Sequence, residues 1–151
     1  MYDDKGEVPD EPYTIPFGEA NLVREGDDVT IVALGRMVKL ANEAAEQLAD
    51  QGIQCTVLDP RTTSPLDEEA ILASVRRTGR LVVVDEASPR CNVGTDISAL
   101  VAEKAFDALK GPIRVVSPPH TPVPFSPALE VHYIPSVERI RDTAKSLVEG
   151  K

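Results

Sequence analysis

Unbroken apolar runs alternate with helix-spaced apolar stripes along most of the chain. Leu81-Val-Val-Val84 has no polar position between its apolar ones, so it reads as a strand covered on both faces, as in a parallel sheet. Val29 to Leu34 is β-branched and mostly apolar, and Cys55 to Leu58 and Ile113 to Val116 repeat the pattern. Between them lie stripes of helical period. Met37, Ala41, Ala44, Ala45 and Leu48 follow Gly35, with Gly52 as a left-handed cap. Ile71, Leu72 and Val75 follow a start at Ser64-Pro65 with acids at Asp67, Glu68 and Glu69, and Gly79 ends that helix. Ile97, Leu100, Val101, Ala105 and Leu109 run from Thr95-Asp96 to Gly111-Pro112. Val137, Ile140, Ala144, Leu147 and Val148 follow a Ser136 cap. Asn21 to Arg24 predicts a short edge strand, turned by Glu25-Gly26-Asp27-Asp28 into the next.

Strand alternating with helix, four times over, predicts an α/β fold: a three-layer αβα sandwich with right-handed crossovers. Residues 20–151 form one domain. Residues 1–19, with three prolines, six acids and no sustained period, read as a linker or arm from a missing amino-terminal domain. The connection Ser117 to Pro127 holds five prolines in 11 residues and cannot be a central strand. It predicts an ordered extended segment against the body, with Phe125 and Tyr133 to bury.

At 151 residues the chain is long enough to bury roughly 68–70% of its unfolded surface without staples. Its net charge of −9 repels phosphate backbones and anionic lipid, which argues against a nucleic-acid partner. No apolar run approaches the roughly 20 residues that cross a bilayer, and no signal-like start precedes the fold. The expected setting is cytoplasmic. Cys55 and Cys91 fall at opposite rims of the sheet, beyond the roughly 7 Å Cα separation of a disulfide, so both are expected as free thiols, Cys55 in the core and Cys91 exposed.

Chemistry in such sheets collects where strands open into loops at their carboxyl ends, here around Val84-Asp-Glu-Ala-Ser-Pro-Arg-Cys91. Neither G-x-G-x-x-G nor G-x-x-x-x-G-K-[ST] occurs, and Gly35-Arg36 offers only a bare helix start. His120 and His132 have no acid or thiol at zinc-ligand spacing. Ser88, His120 and Asp85 lack a nucleophile elbow. Asp85-Glu86 reads as carboxylates accepting backbone hydrogen bonds or meeting Arg61 or Arg90, and Cys91 as a packed loop thiol rather than an activated one. No residue is assigned a catalytic, cofactor-binding or metal-binding role.

Tyr13-Thr-Ile-Pro-Phe-Gly18, Leu58-Asp-Pro-Arg-Thr-Thr-Ser-Pro-Leu-Asp67, Val84-Asp-Glu-Ala87 and Pro119-His-Thr-Pro-Val-Pro-Phe-Ser-Pro127, in this order, resemble the carboxyl-terminal domain of the β subunit of thiamine-diphosphate-dependent 2-oxo acid dehydrogenases. The likeness extends from about Gly6 to the end. Val84-Asp-Glu-Ala-Ser-Pro-Arg-Cys91 and Ala128-Leu-Glu130 look most like the acetoin dehydrogenase branch of E1 β subunits, the pyruvate and branched-chain branches differing at Asp85, near Cys91-Asn92 and at His120-Thr121-Pro122. The resemblance leaves the substrate open. It implies a five-stranded, mostly parallel sheet of the transketolase C-terminal-domain type whose first strand runs antiparallel. It also implies thiamine diphosphate and magnesium bound elsewhere in a complete enzyme, none of it by this domain, which would be inactive alone. Implied partners are the amino-terminal half of β, the E1 α subunit, the E2 acyltransferase and a second copy forming a homodimer.

The leading reading is therefore an assembly and docking domain, its acidic balance suited to a basic E2 module. A free-standing domain binding a small anion is the alternative. Arg36, Arg61, Glu86, Arg90, Cys91 and His120, with Gly35, would form its rim or an interface.

Overall fold

The computed structural model describes residue 7 and residues 9–150. Residues 1–6 and 8 of the predicted arm lie outside the described residues. The elements in chain order are β1 (Asn21–Arg24), β2 (Val29–Ala33), α1 (Met37–Ala49), β3 (Cys55–Asp59), α2 (Glu68–Thr78), β4 (Leu81–Val84), α3 (Val93–Lys104), a 3-10 turn (Phe106–Ala108), β5 (Arg114–Val116), α4 (Pro127–Tyr133) and α5 (Val137–Glu149).

The strands form one sheet in the order β1-β3-β2-β4-β5. β2 is parallel to β3 and β4, and β4 to β5, whereas β1 runs antiparallel to β3 with an irregularity between Leu22 and Arg24. Alternate side chains divide between two cores. Val29, Ile31, Cys55, Val57, Val82 and Val84 pack with α1 and α5, and Val32, Leu58, Leu81 and Val83 pack with α2 and α3. Both faces of β2 and β4 are fully covered, which is why their sequences show no alternation. Each fully buried branched side chain contributes roughly 1.5–3 kcal/mol and a half-exposed ion pair about 0–1 kcal/mol, so stability rests on these two layers.

Helix starts follow side-chain caps rather than the first turn-forming residue. Asp67 caps α2 by accepting from Ala70 N at 3.0 Å, so the helix opens at Glu68 and not at Ser64. Asn92 accepts from Thr95 N at 2.9 Å and starts α3 at Val93, two residues before the expected Thr95. That helix stops at Lys104, and Leu109 reaches the core from extended backbone after the 3-10 turn. The cap residue after α1 is Asp50, in right-handed geometry. Gly52, at φ +83°, turns the chain two residues later as Ile53 N donates back to Leu48 O. Ser136 caps α5 as expected.

The largest departure is the proline-rich connection. Tyr133 is buried but Phe125 is fully exposed, so the segment does not lie down on the body along its length. Its last part, α4, is a helix with Pro127 in its first turn, and six of its seven residues are exposed. Proline density hid it, because a proline at the helix start is compatible with a helix that prolines further along would break.

Candidate functional site

The carboxyl ends of β2, β3, β4 and β5 open on one rim. From β2 the chain passes through α1 to β3 on one side, and α2 then carries it to β4 on the other, so the order reverses between β2 and β4, the position where such sheets receive ligands. One side chain comes from each loop there. Arg36 Nε lies 3.6 Å from Glu86 Oε2, with the two side chains 46% and 44% exposed.

The remaining rim residues do not join them. Arg61 is exposed and sits at φ +58°, its N–H donating to Asp59 Oδ1 at 2.9 Å. Asp85 is buried and accepts from Ala87 N at 3.0 Å. Glu86, Arg90, Cys91 and His120 are all exposed, and Cys91 has φ +55°. Among the described residues no ion pair links Arg61, Arg90 or His120 to another rim side chain. Both thiols are free as expected and Cys55 is buried, but Cys91 is exposed and not the packed loop thiol that its place beside the sheet suggested, because the chain turns there at φ +55°. Burial pushes the Cys55 thiol up to about 12, desolvation outweighing the lowering influence of Arg24.

Beside the ion pair, a cleft of ≈ 90 Å³ is lined by Gly35, Asp59, Arg61 and Thr62. Small-molecule pockets start at roughly 300 Å³, a size this cleft does not reach but a second hollow of ≈ 590 Å³, lined by Gly35, Arg36, Val38 and Lys39, does. No group of three or more His, Cys, Asp or Glu side chains could hold a metal among the described residues. Since Asp59 and Asp85 are turned onto their own loops, this rim offers no carboxylate pair to a magnesium–diphosphate group.

What the rim does carry is an attachment for the arm. Gly18 N donates to Thr62 Oγ1 at 2.9 Å, and Ala20 N to Asp67 Oδ2 at 2.8 Å. Thr62 Oγ1 in turn donates to Pro65 O at 2.8 Å. Beyond these contacts Tyr13, Ile15 and Phe17 remain exposed. By sequence alone Asp67 is one of several helix-start acids and Thr62 a loop residue. Their partners are more than 40 residues away, and no local pattern signals them.

Residues 18–140 match the family model described as transketolase, C-terminal domain. The chain belongs to this family. The transketolase C-terminal-domain assignment is matched by close relatives. It is 59% identical over 150 residues to the acetoin:2,6-dichlorophenolindophenol oxidoreductase subunit beta of Cupriavidus necator, covering 99% of this chain and 44% of that protein. The Bacillus subtilis protein of the same name is 56% identical over 139 residues, covering 92% and 41%. The pyruvate dehydrogenase E1 component subunit beta of Rickettsia felis is 41% identical over 147 residues, covering 97% and 45%. The chain thus spans less than half the length of these relatives. A split-gene transketolase solved as an inactive beta4 tetramer superimposes with a TM-score of 0.80 at 28% identity, over 95% of this chain and 46% of that one. The sheet with one antiparallel edge strand agrees with what the family resemblance implied.

Proposed function

We propose that the chain is the assembly and docking domain of the β subunit of a thiamine-diphosphate-dependent E1 enzyme of the acetoin dehydrogenase type, with the pyruvate type second. It is inactive by itself. The observation that carries this reading is how the surface is built: the rim carboxylates of Asp59 and Asp85 serve their own loops and that of Glu86 meets Arg36, while large apolar side chains stand exposed on the arm and the proline-rich connection. Exposed apolar surface of that kind marks contact with other chains. Identity of 59% to an acetoin oxidoreductase β subunit against 41% to a pyruvate dehydrogenase one supports the order of substrates.

In this reading thiamine diphosphate and magnesium bind in the rest of the enzyme, and residues 1–19 are the arm leading from the amino-terminal half of β. The other partners are the E1 α subunit, a basic E2 module attracted by the net charge of −9, and a second copy of this domain. The compartment is cytoplasmic. No helix among the described residues is long and apolar enough to cross a membrane. The anion-binding alternative loses support from Arg36 being engaged by Glu86.

Titration calorimetry of the chain with thiamine diphosphate and magnesium is expected to show no binding, and the chain alone no turnover. Joined to an acetoin oxidoreductase β amino-terminal half and its α subunit, it should support acetoin-dependent dye reduction at least about tenfold faster than pyruvate-dependent reduction. Micromolar cofactor binding by the isolated chain, or turnover without the other parts, would overturn the proposal.

A further inference from the structure

The edge of the sheet beside α1 is left uncovered. β1 has a single neighbour in the sheet, β3, and no helix packs broadly on it among the described residues. Its side chains alternate between the two faces, Leu22 turning to the α2 side and Val23 to the α1 side, and both are exposed. On the α1 side this leaves the ≈ 590 Å³ hollow, with Val23 and Val38 as apolar walls. Apolar walls in water favour an apolar cover.

The arm carries a cover within reach. Tyr13, Ile15 and Phe17 occupy alternate positions and all are exposed. Alternate side chains of an extended segment share one side, and Pro12 and Pro16 favour the extended form. The segment pivots at Gly18, which takes φ +77° and is held at the rim by Thr62. Thr62 and Gly35 line the same ≈ 90 Å³ cleft, and Gly35 also lines the larger hollow, so the pivot stands at the hollow's mouth. From Gly18 to Tyr13 the extended chain spans about 16 Å. The hollow follows α1 from Gly35 to Glu43, about 12 Å at the helical rise. The apolar row therefore covers its length, and Asp10 and Glu11 fall past the end of the row, where they stay in water.

The geometry points to a strap with two positions: residues 13–17 swing about Gly18 and seat Ile15 and Phe17 on Val23 and Val38, closing the hollow. Released, with the row exposed as it stands in the structure, the strap offers both the row and the hollow to another chain. This device goes beyond the proposed function and does not depend on it.

Thiol alkylation of the full chain at neutral pH tests it, in a Cys91→Ser background because Cys91 is the exposed thiol and Cys55 is buried. One new thiol is placed by Ile15→Cys on the seated side of the arm or by Thr14→Cys on its outer side. The Ile15→Cys thiol should react at least about tenfold more slowly than the Thr14→Cys thiol, corresponding to a strap seated about ten times as often as released, and the two should react equally in denaturant. Adding Val23→Glu, at an exposed position that the fold does not need, should abolish the difference, whereas Leu22→Glu on the opposite face of β1 should preserve it. Equal rates in the parent background overturn the inference. A difference that survives Val23→Glu, or that Leu22→Glu removes as well, overturns it too, since the row would then be covered elsewhere than in this hollow. Acetoin-dependent turnover of the assembled enzyme is a separate readout: its absence sinks the proposed function and leaves the strap standing.

Discussion

The carboxylate of Asp67 receives the backbone N–H of Ala20 at 2.8 Å on one oxygen and that of Ala70 at 3.0 Å on the other. One side chain thus starts α2 and fixes the point where the arm meets the sheet. Removing a cap of this type costs about 0.5–2 kcal/mol. Asp67→Ala is expected to cost at the upper end of that range in urea unfolding and to speed proteolytic cleavage between residues 12 and 19. Unchanged cleavage would show that Gly18 and Thr62 hold the arm without it.

Thr30 on β2 presents its hydroxyl to the buried Ser74 Oγ at 2.7 Å and Thr78 Oγ1 at 2.9 Å on α2. Thr78 has backbone partners besides, so Ser74 is the group left unpaired by Thr30→Val. A buried unsatisfied hydroxyl costs roughly 1–3 kcal/mol. Adding Ser74→Ala should recover part of that loss. A double mutant cycle with no coupling would refute the assignment.

Cys55 is protonated in the folded chain up to about 12, against 9.0 for an ordinary thiol. Its folded value is the higher one, so the unfolded state loses the proton first. The stabilisation is intact below pH 9 and is lost as pH rises from 9 toward 12. Stability of the parent should fall more steeply across that window than that of Cys55→Ala. A neutral-pH alkylating reagent should label one thiol in the folded chain, at Cys91, and two in denaturant. Rapid labelling of Cys55 at pH 8 would contradict its burial.

A Cβ on Gly26 would stand 2.7 Å from the Cys55 carbonyl carbon and backbone nitrogen, whereas one on Gly52 would meet nothing within 4 Å. Gly26→Ala forces β3 backbone apart, an overpacking cost of about 1–3 kcal/mol. Gly52→Ala costs about 1–2 kcal/mol from its φ of +83° alone. Thermal melts of the two should therefore rank Gly26→Ala lower. The reverse order would mean that the β1–β2 turn can shift away from β3.

Elements that depend on their own residues were legible beforehand. All five inward positions expected for α1, from Met37 to Leu48, are buried, because apolar period and burial are the same fact seen twice. Leu81 to Val84 lies in the sheet interior for the same reason. Boundaries moved where a side chain competed for a helix's first N–H groups, as Asp67 and Asn92 do. Of the rim, Arg36 and Glu86 meet, while Arg61, Arg90 and His120 make no ion pair there among the described residues. Loop side chains carry no period from which a meeting could be read.

By itself, the order of residues determined the layers: which stretches are strands, which faces of the helices turn inward, and, through residues shared with relatives, the family. Only the tertiary structure decided that Thr62 and Asp67 grip the arm, that Phe125 stands in solvent and that Arg36 is engaged by Glu86. Local pattern is set by neighbours within about four positions along the chain, whereas these contacts join residues that the fold brings together from far apart, and no periodicity records their distance.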